Sequence, residues 1–333
     1  MKVQWEGWQA IGSFGVMEVL HFSCYNLCMN DTNQLIAQIL EQTQKVILGK
    51  EKQVKLSLSA FLSGTHLLIE DIPGVGKTTL AKTLAHVLGL EYSRVQFTSD
   101  LLPSDIIGVN FYNTKDASFH FKKGPIFSQF LLADEINRAS SKTQSALLEA
   151  MEERQVSVDS ITYELPHPFF VIATKNPNEE IGTYDLPSSQ LDRFALTFSL
   201  GYPSYEAERE ILQAEHKVSI ASLTSLLPEE IKLLQKSYAS IHVSEAILDL
   251  TQEILKFTRE SGLYKTGLSP RAALTLLHIA KAWALIASRD FVIPSDILEV
   301  LPNITHHRLE ALGERKSPEE IVDEITQNLH IDT

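Results

Sequence analysis

One short stretch constrains this chain more than any other, namely Glu70-Asp71-Ile72-Pro73-Gly74-Val75-Gly76-Lys77-Thr78-Thr79. It follows an apolar run at 67–69, which predicts a strand, and it precedes helical spacing of apolar residues at 80–88. A strand, a glycine-rich turn and a helix in this order are typical of a phosphate-binding loop, because backbone N–H groups and the dipole at the helix start favour an anion. The sequence therefore predicts a site for a nucleoside triphosphate.

Individual positions of this loop have distinct expected roles. Gly74 and Gly76 allow the backbone to come close to phosphate oxygens, where a Cβ atom would stand in the way. Lys77 is expected to reach the β- and γ-phosphates, and the Thr78 hydroxyl is expected to ligate Mg²⁺. The generic pattern begins with glycine six residues before the lysine, where this chain has Asp71. An ordinary glycine-containing turn is the alternative that the loop alone leaves open.

Length and composition limit the class of protein. A chain of 333 residues is long enough for about two domains. Its formal net charge of −13 argues against overall electrostatic binding to nucleic acid or to an anionic membrane. We find no apolar stretch of the ~18 residues that a membrane span needs. The use of only two cysteines is typical of a reducing compartment, so the expected location is the cytoplasm.

The order of apolar segments predicts the fold class, an α/β protein. Strands alternate with helical patterns, which indicates a parallel sheet with helices on both faces. The expected strands are 66–70, 94–98, 130–134, 169–174 and 194–198. Only helical patterns follow the last of these strands. We therefore expect an N-terminal extension of unknown role at 1–32, a nucleotide-binding core at 33–203 and an all-helical second domain at 204–333.

Two segments interrupt the alternation of strands and helices. Apolar and polar residues alternate within 105–123 and again within 156–165, which predicts two hairpins added to the core. Edge strands of the main sheet are the alternative interpretation of the same alternation.

A second nucleotide signal lies at the end of the apolar segment 130–133, where Asp134 and Glu135 follow. A buried parallel strand presents the residues at its carboxyl end to the ligand crevice. Asp134 is expected to hold Mg²⁺ through its water shell, and Glu135 to orient and deprotonate the attacking water. A surface pair of carboxylates at a helix start is the alternative for this dipeptide alone. The position of Asp134-Glu135 after the phosphate loop in the chain favours the catalytic interpretation of this dipeptide.

Three further polar residues complete the expected site. Asn176 follows the apolar segment 169–173, so its amide is expected to contact the γ-phosphate and the lytic water; an Asn-Pro turn is the alternative, and it does not conflict with this role. Arg193 and Arg271 are each compatible with a solvated surface position. Phosphoryl transfer, however, needs a cation that stabilises charge on the γ-phosphate, and Lys77 with one Mg²⁺ leaves that role open.

Longer stretches of the chain carry a family resemblance. They are 70–78, 101–106 (Leu-Leu-Pro-Ser-Asp-Ile), 124–127 (Gly-Pro-Ile-Phe), 132–139 (Leu-Ala-Asp-Glu-Ile-Asn-Arg-Ala), 144–156, 173–177 and 190–194. Together they resemble the AAA+ ATPases, and within them the MoxR family, in the same branch as the magnesium-chelatase ATPase subunit. The likeness covers roughly 33–310. The Glu70-Asp71 opening is common in MoxR-like sequences, whereas Asp159-Ser160 departs from the usual Asp-Gly turn.

The resemblance implies roles for particular residues. Arg193 is similar in position to the arginine finger, which acts on the nucleotide of the neighbouring subunit. Arg271 is similar to the second sensor, which ties the helical lid to the γ-phosphate, and Asn176 to the first sensor. Ile47 and Gly49 correspond to the adenine pocket. The implied nucleotide contacts are Ile47, Gly49, Pro73, Gly74, Val75, Gly76, Lys77, Thr78, Thr79, Asp134 and Arg271.

The resemblance also implies an activity and partners. We expect Mg²⁺-dependent ATP hydrolysis by a ring, commonly of six subunits, that remodels or matures a partner protein or inserts a metal cofactor into it. The family typically works with a protein that carries a von Willebrand factor A domain. Two alternatives stay open at this point, namely a ring ATPase that acts on nucleic acid and a nucleotide-gated binding module with little turnover.

Overall fold

The computed structural model describes residues 29–115, 117–177, 182–213, 218–313 and 316–329. Most of the expected N-terminal extension therefore lies outside the described residues, as do both cysteines. Residues 29–32 belong to the first described helix.

Strands and helices alternate through the first half of the described chain. The strands are β1 Leu67–Glu70, β2 Tyr92–Gln96, β3 Gly108–Asn113, β4 Ser118–Lys123, β5 Phe130–Asp134, β6 Gln155–Val158, β7 Ile161–Glu164, β8 Phe170–Lys175 and β9 Leu196–Phe198. The helices are α1 29–44, α2 Glu51–Leu62, α3 Lys77–Val87, α4 Pro103–Ile107, α5 Ser141–Glu153, α6 Ser188–Leu191, α7 Tyr205–Gln213, α8 Pro228–Ser240, α9 Glu245–Glu260, α10 Pro270–Ile286, α11 Pro294–Thr305 and α12 Pro318–Leu329.

Five of these strands form one parallel sheet in the order β2-β5-β8-β1-β9. Alternate residues of β1 enter two different apolar clusters: Leu67 and Ile69 face one side with α2 and α3, and Leu68 faces the other side with α5. Burial on both faces explains why β1, β5 and β8 are continuous apolar runs. The predicted parallel sheet with helices on both faces is confirmed.

The second strand differs from its predicted position. It occupies Tyr92–Gln96 instead of 94–98. β2 lies at the edge of the sheet, and only Val95 of its five residues is buried. Its first residues are polar or half-exposed, so the strand start carries no apolar signal that sequence reasoning could use.

Both inserted segments form antiparallel two-stranded hairpins that are separate from the main sheet, as predicted. β3 pairs with β4, and β6 pairs with β7. The two hairpins contact each other, because the rings of Phe121 and Tyr163 stack at 4.4 Å and the Asn110 amide donates to Asp159 Oδ2 over 2.6 Å. At the first hairpin the rings of Phe111, Tyr112 and Phe119 are exposed.

The described residues after β9 form a helical lid. Its helices α8 to α12 share one apolar cluster with α2, α3 and one face of the sheet, so lid and core are packed together. Pro228 and Pro270 occupy the first turns of α8 and α10, where proline loses no hydrogen bond. Among the residues that the structure describes, none of the helices has both the length and the apolar character that crossing a bilayer requires.

Candidate active site

The phosphate loop joins β1 to α3 with the backbone geometry that the glycines predict. Gly74 and Gly76 have φ values of +87° and +98°, in the left-handed region. A Cβ atom at either position would meet nothing within 4 Å of the protein itself. The glycines are therefore required by the backbone conformation here, in addition to the close approach of an anion that the sequence suggests.

Lys77 begins α3 and its side chain curls back over the loop. Its Nζ donates to the backbone oxygens of Asp71 and Ile72 at 2.6 and 2.8 Å. Thr78 and Thr79 occupy the first turn of the same helix, where backbone N–H groups have no partner within the helix. The cation and the helix start therefore converge on one point above the loop.

Asp71 stands where the generic pattern has glycine, and the structure gives it a role. Its side chain is buried, with Oδ1 accepting from the Ile72 N–H at 2.8 Å and Oδ2 from the Gly201 N–H at 2.7 Å. Gly201 lies in the connector between the core and the lid. The carboxylate therefore ties the start of the phosphate loop to this connector, a bond that glycine cannot make.

Asp134, at the end of β5, is held from two neighbouring strands. Its Oδ1 accepts from the Thr174 hydroxyl of β8 at 2.6 Å, and its Oδ2 accepts from Nε and Nη2 of Arg94 of β2 at 3.1 and 2.6 Å. These bonds fix the orientation of the carboxylate. Sequence reasoning missed both partners, although Thr174 is a detectable polar residue at the end of an apolar strand.

Glu135 has a strained backbone, with φ 57° and ψ 50°, which a residue other than glycine adopts only at a cost. Its N–H donates to Thr174 Oγ1 at 2.8 Å, so one threonine holds both acidic residues. Its Oε2 accepts from Gln96 Nε2 at 2.7 Å and from Arg138 Nη1 at 2.9 Å. The carboxylate is therefore positioned by β2 and by the turn that follows β5.

Most of the predicted site residues line a single cleft of about 300 Å³ at the carboxyl edge of the sheet. Its lining is Pro73, Gly74, Gly76, Lys77, Thr78, Thr79, Asp134, Glu135, Thr174 and Asn176. Val75 instead packs against the apolar core. Ile47 and Gly49 lie in the turn after α1, and a Cβ on Gly49 would stand 3.5 Å from Ala207 of α7.

The two expected arginines lie together in a second cleft of about 190 Å³. Arg193 Nε and Arg271 Nη2 contact the two oxygens of Glu152 at 2.9 and 3.1 Å. Residues 64–66 directly precede β1 and Ala195 directly precedes β9, and both segments line this cleft. The arginine cleft therefore lies at the amino edge of the sheet.

The two clefts lie at opposite edges of one parallel sheet. β1 alone separates them by about 13 Å, since its four residues rise roughly 3.3 Å each. Arg271, which the resemblance assigns to a γ-phosphate, therefore lies beside Arg193 at the edge opposite the chain's own phosphate loop.

His66 lines the arginine cleft and is buried. Its Nδ1 accepts from the Val171 N–H at 3.1 Å, so Nε2 carries the proton and faces Met151 O at 3.2 Å. Burial, reinforced by the positive charge of Arg154, lowers the pKa of His66 to about 3. The imidazole is therefore neutral in the folded protein at neutral pH.

This histidine predicts a pH dependence of stability. An imidazole in the unfolded chain has a pKa of about 6.5, so the unfolded state binds more protons than the folded state between about pH 6.5 and pH 3. The free energy of unfolding should therefore decrease as the pH is lowered from about 6.5 to about 3, by up to about 1.4 kcal/mol per pH unit from His66. Denaturant unfolding at a series of pH values measures the slope.

One variant separates His66 from the other titrating groups. His66→Gln keeps a donor and an acceptor but cannot take up a proton, so it should reduce the slope relative to the unsubstituted protein. An unchanged slope in His66→Gln would contradict the assignment.

The residues of the first cleft fit a bound Mg²⁺. Mg²⁺ prefers oxygen ligands, keeps several waters and is usually bound through one or two protein side chains together with phosphates. The Thr78 hydroxyl and the Asp134 carboxylate both line the cleft. Asp134 Oδ1 accepts one hydrogen bond from Thr174, which leaves it a further lone pair for a water of the metal shell.

Comparison with known proteins identifies the class of this architecture. Residues 66–196 match the family described as "ATPase family associated with various cellular activities (AAA)", and residues 256–325 match the AAA lid domain. A crystal structure of a presumed ATPase from Cytophaga hutchinsonii has a TM-score of 0.85 and 35% identity, covering 92% of this chain and 98% of that chain. The chain is an AAA+ ATPase with a P-loop α/β core and a helical lid, as predicted.

Sequence relatives define the family. Chaperone MoxR1 of Mycobacterium tuberculosis is 40% identical over 301 residues, which cover 86% of this chain and 80% of the relative. The uncharacterized protein YeaC of Bacillus subtilis is 44% identical over 301 residues, covering 89% of this chain and 94% of the relative. The chain belongs to the MoxR family of AAA+ ATPases, which confirms the resemblance found in the sequence.

Proposed function

We propose that this ATPase hydrolyses ATP with Mg²⁺ at sites shared between adjacent subunits of a ring, and uses the cycle to remodel or mature a partner protein. The observation that carries this proposal is the position of the two clefts at opposite edges of one parallel sheet. The first cleft has a phosphate loop and two carboxylates, whereas the second has two arginines paired with one glutamate. Each cleft supplies what the other lacks for phosphoryl transfer.

The first cleft binds the nucleotide in this proposal. Lys77 and the N–H groups at the start of α3 hold the β- and γ-phosphates. Thr78 and Asp134 hold Mg²⁺, whose chemistry when bound is neutralisation of charge between these phosphates. Glu135 accepts the proton of the attacking water, and the Asn176 amide orients that water against the γ-phosphate.

The adenine base is proposed to lie by the turn that contains Ile47 and Gly49. Lys50 of this turn donates to the Tyr202 backbone oxygen at 2.7 Å, and the Gly201 N–H donates to Asp71 of the phosphate loop. The turn, the connector and the loop are thus in continuous contact. This continuity supports a base site next to the phosphate loop.

The second cleft is proposed to complete the site of a neighbouring subunit. Arg193 acts as the arginine finger, and Arg271 accompanies it on the same γ-phosphate, both leaving Glu152 when the nucleotide is present. Each subunit has arginines at one edge of its sheet and a phosphate loop at the other edge. Contact between unlike edges is a head-to-tail interface, which forms a ring if the rotation between subunits closes. We propose a ring of six subunits.

The partner of the ring is proposed to be a protein. A relative at 40% identity is named as a chaperone, and the exposed rings at 111, 112 and 119 offer an apolar contact surface on the first hairpin. By analogy with the family, we propose that a protein with a von Willebrand factor A domain and a client act together with this ATPase in the cytoplasm.

Nucleotide binding and phosphate release with purified protein test this proposal. We expect ATP to bind in the presence of Mg²⁺ and phosphate release to stop when EDTA removes the metal, with activity restored by added Mg²⁺. Lys77→Ala should remove nucleotide binding, because the phosphates lose their side-chain cation. No affinity of the unsubstituted protein for adenine nucleotides with Mg²⁺ would overturn the proposal.

Nucleic acid is the second candidate partner, and one observation favours it. The first hairpin carries exposed aromatic rings together with Lys115, Lys122 and Lys123, a combination that can stack bases and contact phosphates. The net charge of −13 opposes this interpretation. Measuring the binding of this protein to nucleic acid at increasing salt concentration decides between a nucleic-acid partner and a protein partner. Contacts with nucleic-acid phosphates give a steep loss of affinity as salt rises.

A further inference from the structure

The end of α11 brings a lid side chain into the loop that carries the proposed arginine finger. Arg308 is almost fully buried, with 5% of its side chain exposed. Its Nε donates to Asp192 Oδ1 at 2.7 Å and its Nη2 to the Phe194 backbone oxygen at 2.7 Å. Its Nη1 donates to the backbone oxygens of Ala195 and Ile304 at 3.0 and 2.9 Å.

A buried arginine is tolerated only when its charge is paired and its N–H groups are bonded. Arg308 meets both conditions, and four of its acceptors lie within residues 192–195. Because the guanidinium is planar and its donors are fixed relative to one another, these bonds define the path of the loop on both sides of Arg193.

The carboxylate of Asp192 extends this arrangement to the second arginine. Its Oδ2 accepts from the Ser269 hydroxyl at 3.3 Å. Ser269 caps α10, since its Oγ accepts from the Ala272 N–H at 3.1 Å, and Arg271 is the second residue of that helix. Asp192 directly precedes Arg193, so the Arg308–Asp192 pair connects the loop of Arg193 to Ser269, the cap of the helix that carries Arg271.

His307, the preceding residue, fixes the same segment of the lid to β9. Burial lowers its pKa well below 6.5, so the ring is neutral. Its Nε2 faces the Phe194 backbone oxygen at 3.0 Å, which can only accept, so Nε2 carries the proton and Nδ1 accepts from the Thr197 hydroxyl at 2.8 Å. The lid thus contacts residues 192–197 through two consecutive side chains.

We propose that Arg308 is a positioning residue for catalysis in the neighbouring subunit: it holds Asp192, and through it Arg193 and Arg271, in the geometry that reaches the next subunit's nucleotide. This inference rests on the proposed function, in which these arginines act between subunits. A chain with a displaced Arg193 keeps its own phosphate-loop cleft but fails to complete that of its neighbour. Displacements of about 1 Å at a catalytic group can cost about a hundredfold in rate.

Arg308→Lys is the variant of choice, because lysine keeps the positive charge beside Asp192 but loses the planar fork that bonds several carbonyls. We expect its ATPase rate to fall by about tenfold to a hundredfold. Its affinity for ATP, measured with a fluorescent analogue, should stay within about twofold of the unsubstituted protein, because Lys77 and the phosphate loop are untouched.

Mixed rings separate positioning from a general effect on folding. Glu135→Gln subunits offer an intact Arg193 but have a defective cleft, whereas Arg193→Ala subunits have an intact cleft but no finger. Arg308→Lys should regain activity when mixed with Glu135→Gln, and should gain nothing when mixed with Arg193→Ala. A lid that is merely destabilised would impair both the subunit's own cleft and the finger that it offers to its neighbour. Arg308→Lys would then gain no activity in either mixture, and this result would overturn the proposal.

Two further variants keep the test independent of folding defects. Asp192→Asn retains an oxygen for Arg308 but loses the charge, and should show the same pattern with a smaller loss. Arg289→Lys is the matched control, because Arg289 pairs with the buried Asp296 inside the lid, and it should show no difference between the two mixtures.

The remaining outcomes are equally decisive. A gain of activity when Arg308→Lys is mixed with Arg193→Ala, or a normal rate of Arg308→Lys alone, would show that Arg308 does not position the finger. A mixture of Arg193→Ala with Lys77→Ala that regains no activity would instead refute the shared site itself. Failure of this inference can thus be told apart from failure of the proposed function.

Discussion

Replacing Glu135 with glutamine is expected to reduce ATP turnover by about a hundredfold or more, because glutamine cannot accept the proton of the attacking water. The substitution keeps the shape of the side chain and an oxygen that can accept from Gln96 and Arg138. ATP binding should therefore survive. Phosphate release under saturating ATP measures the first effect, and binding of a fluorescent ATP analogue measures the second.

Glu319→Gln is a suitable control, since Glu319 is an exposed residue in the first turn of α12. Its turnover should equal that of the unsubstituted protein. A Glu135→Gln protein that turns over ATP at a normal rate would remove Glu135 from the catalytic role. Such a result would favour the alternative of a nucleotide-gated binding module, in which hydrolysis is incidental.

Mixing Arg193→Ala with Lys77→Ala should restore activity that neither variant has alone. An arginine that stabilises the γ-phosphate from a neighbour is worth ~10³–10⁵ in rate, so each variant alone should be nearly inactive. In an equal mixture, half of the clefts are intact and half of their neighbours supply Arg193. With random assembly and independent interfaces, about a quarter of the normal rate should return.

The control for this experiment is a mixture of Lys77→Ala with Glu135→Gln. Both variants keep Arg193, and neither has an intact cleft, so no activity should return at any ratio. If the Arg193→Ala and Lys77→Ala mixture also stays inactive at every ratio, Arg193 does not act between subunits.

The sequence predicts the centre of the sheet and the clustering of polar residues at its carboxyl edge, and both predictions have one physical reason. β1, β5 and β8 are buried on both faces, so each is an apolar run that ends abruptly in polar residues. Parallel strands bring these ends to one edge. The order of strands and polar residues along the chain is therefore sufficient to predict that Lys77, Asp134, Glu135 and Asn176 lie together.

The parts that sequence reasoning missed depend on contacts between distant segments. Arg94 and Gln96 orient the two carboxylates from an edge strand whose polar residues resemble an ordinary surface. Arg308 follows the end of a lid helix, and only the docking of the lid shows that it reaches residues 192–195. The location of Arg271 likewise follows from the packing of α10 and not from its local sequence.

The contact between the two hairpins has a mechanical consequence. Phe121 stacks on Tyr163, and the Asn110 amide donates to Asp159, so the two hairpins form one arm. The second strand of each hairpin leads back into the sheet: β4 continues through a short turn into the strand that ends at Asp134, and β7 continues into the strand that ends just before Asn176. A displacement of the exposed rings can therefore be passed along two covalent paths to residues that line the first cleft. In the proposed cycle, these paths connect a partner bound at the arm with hydrolysis in the cleft.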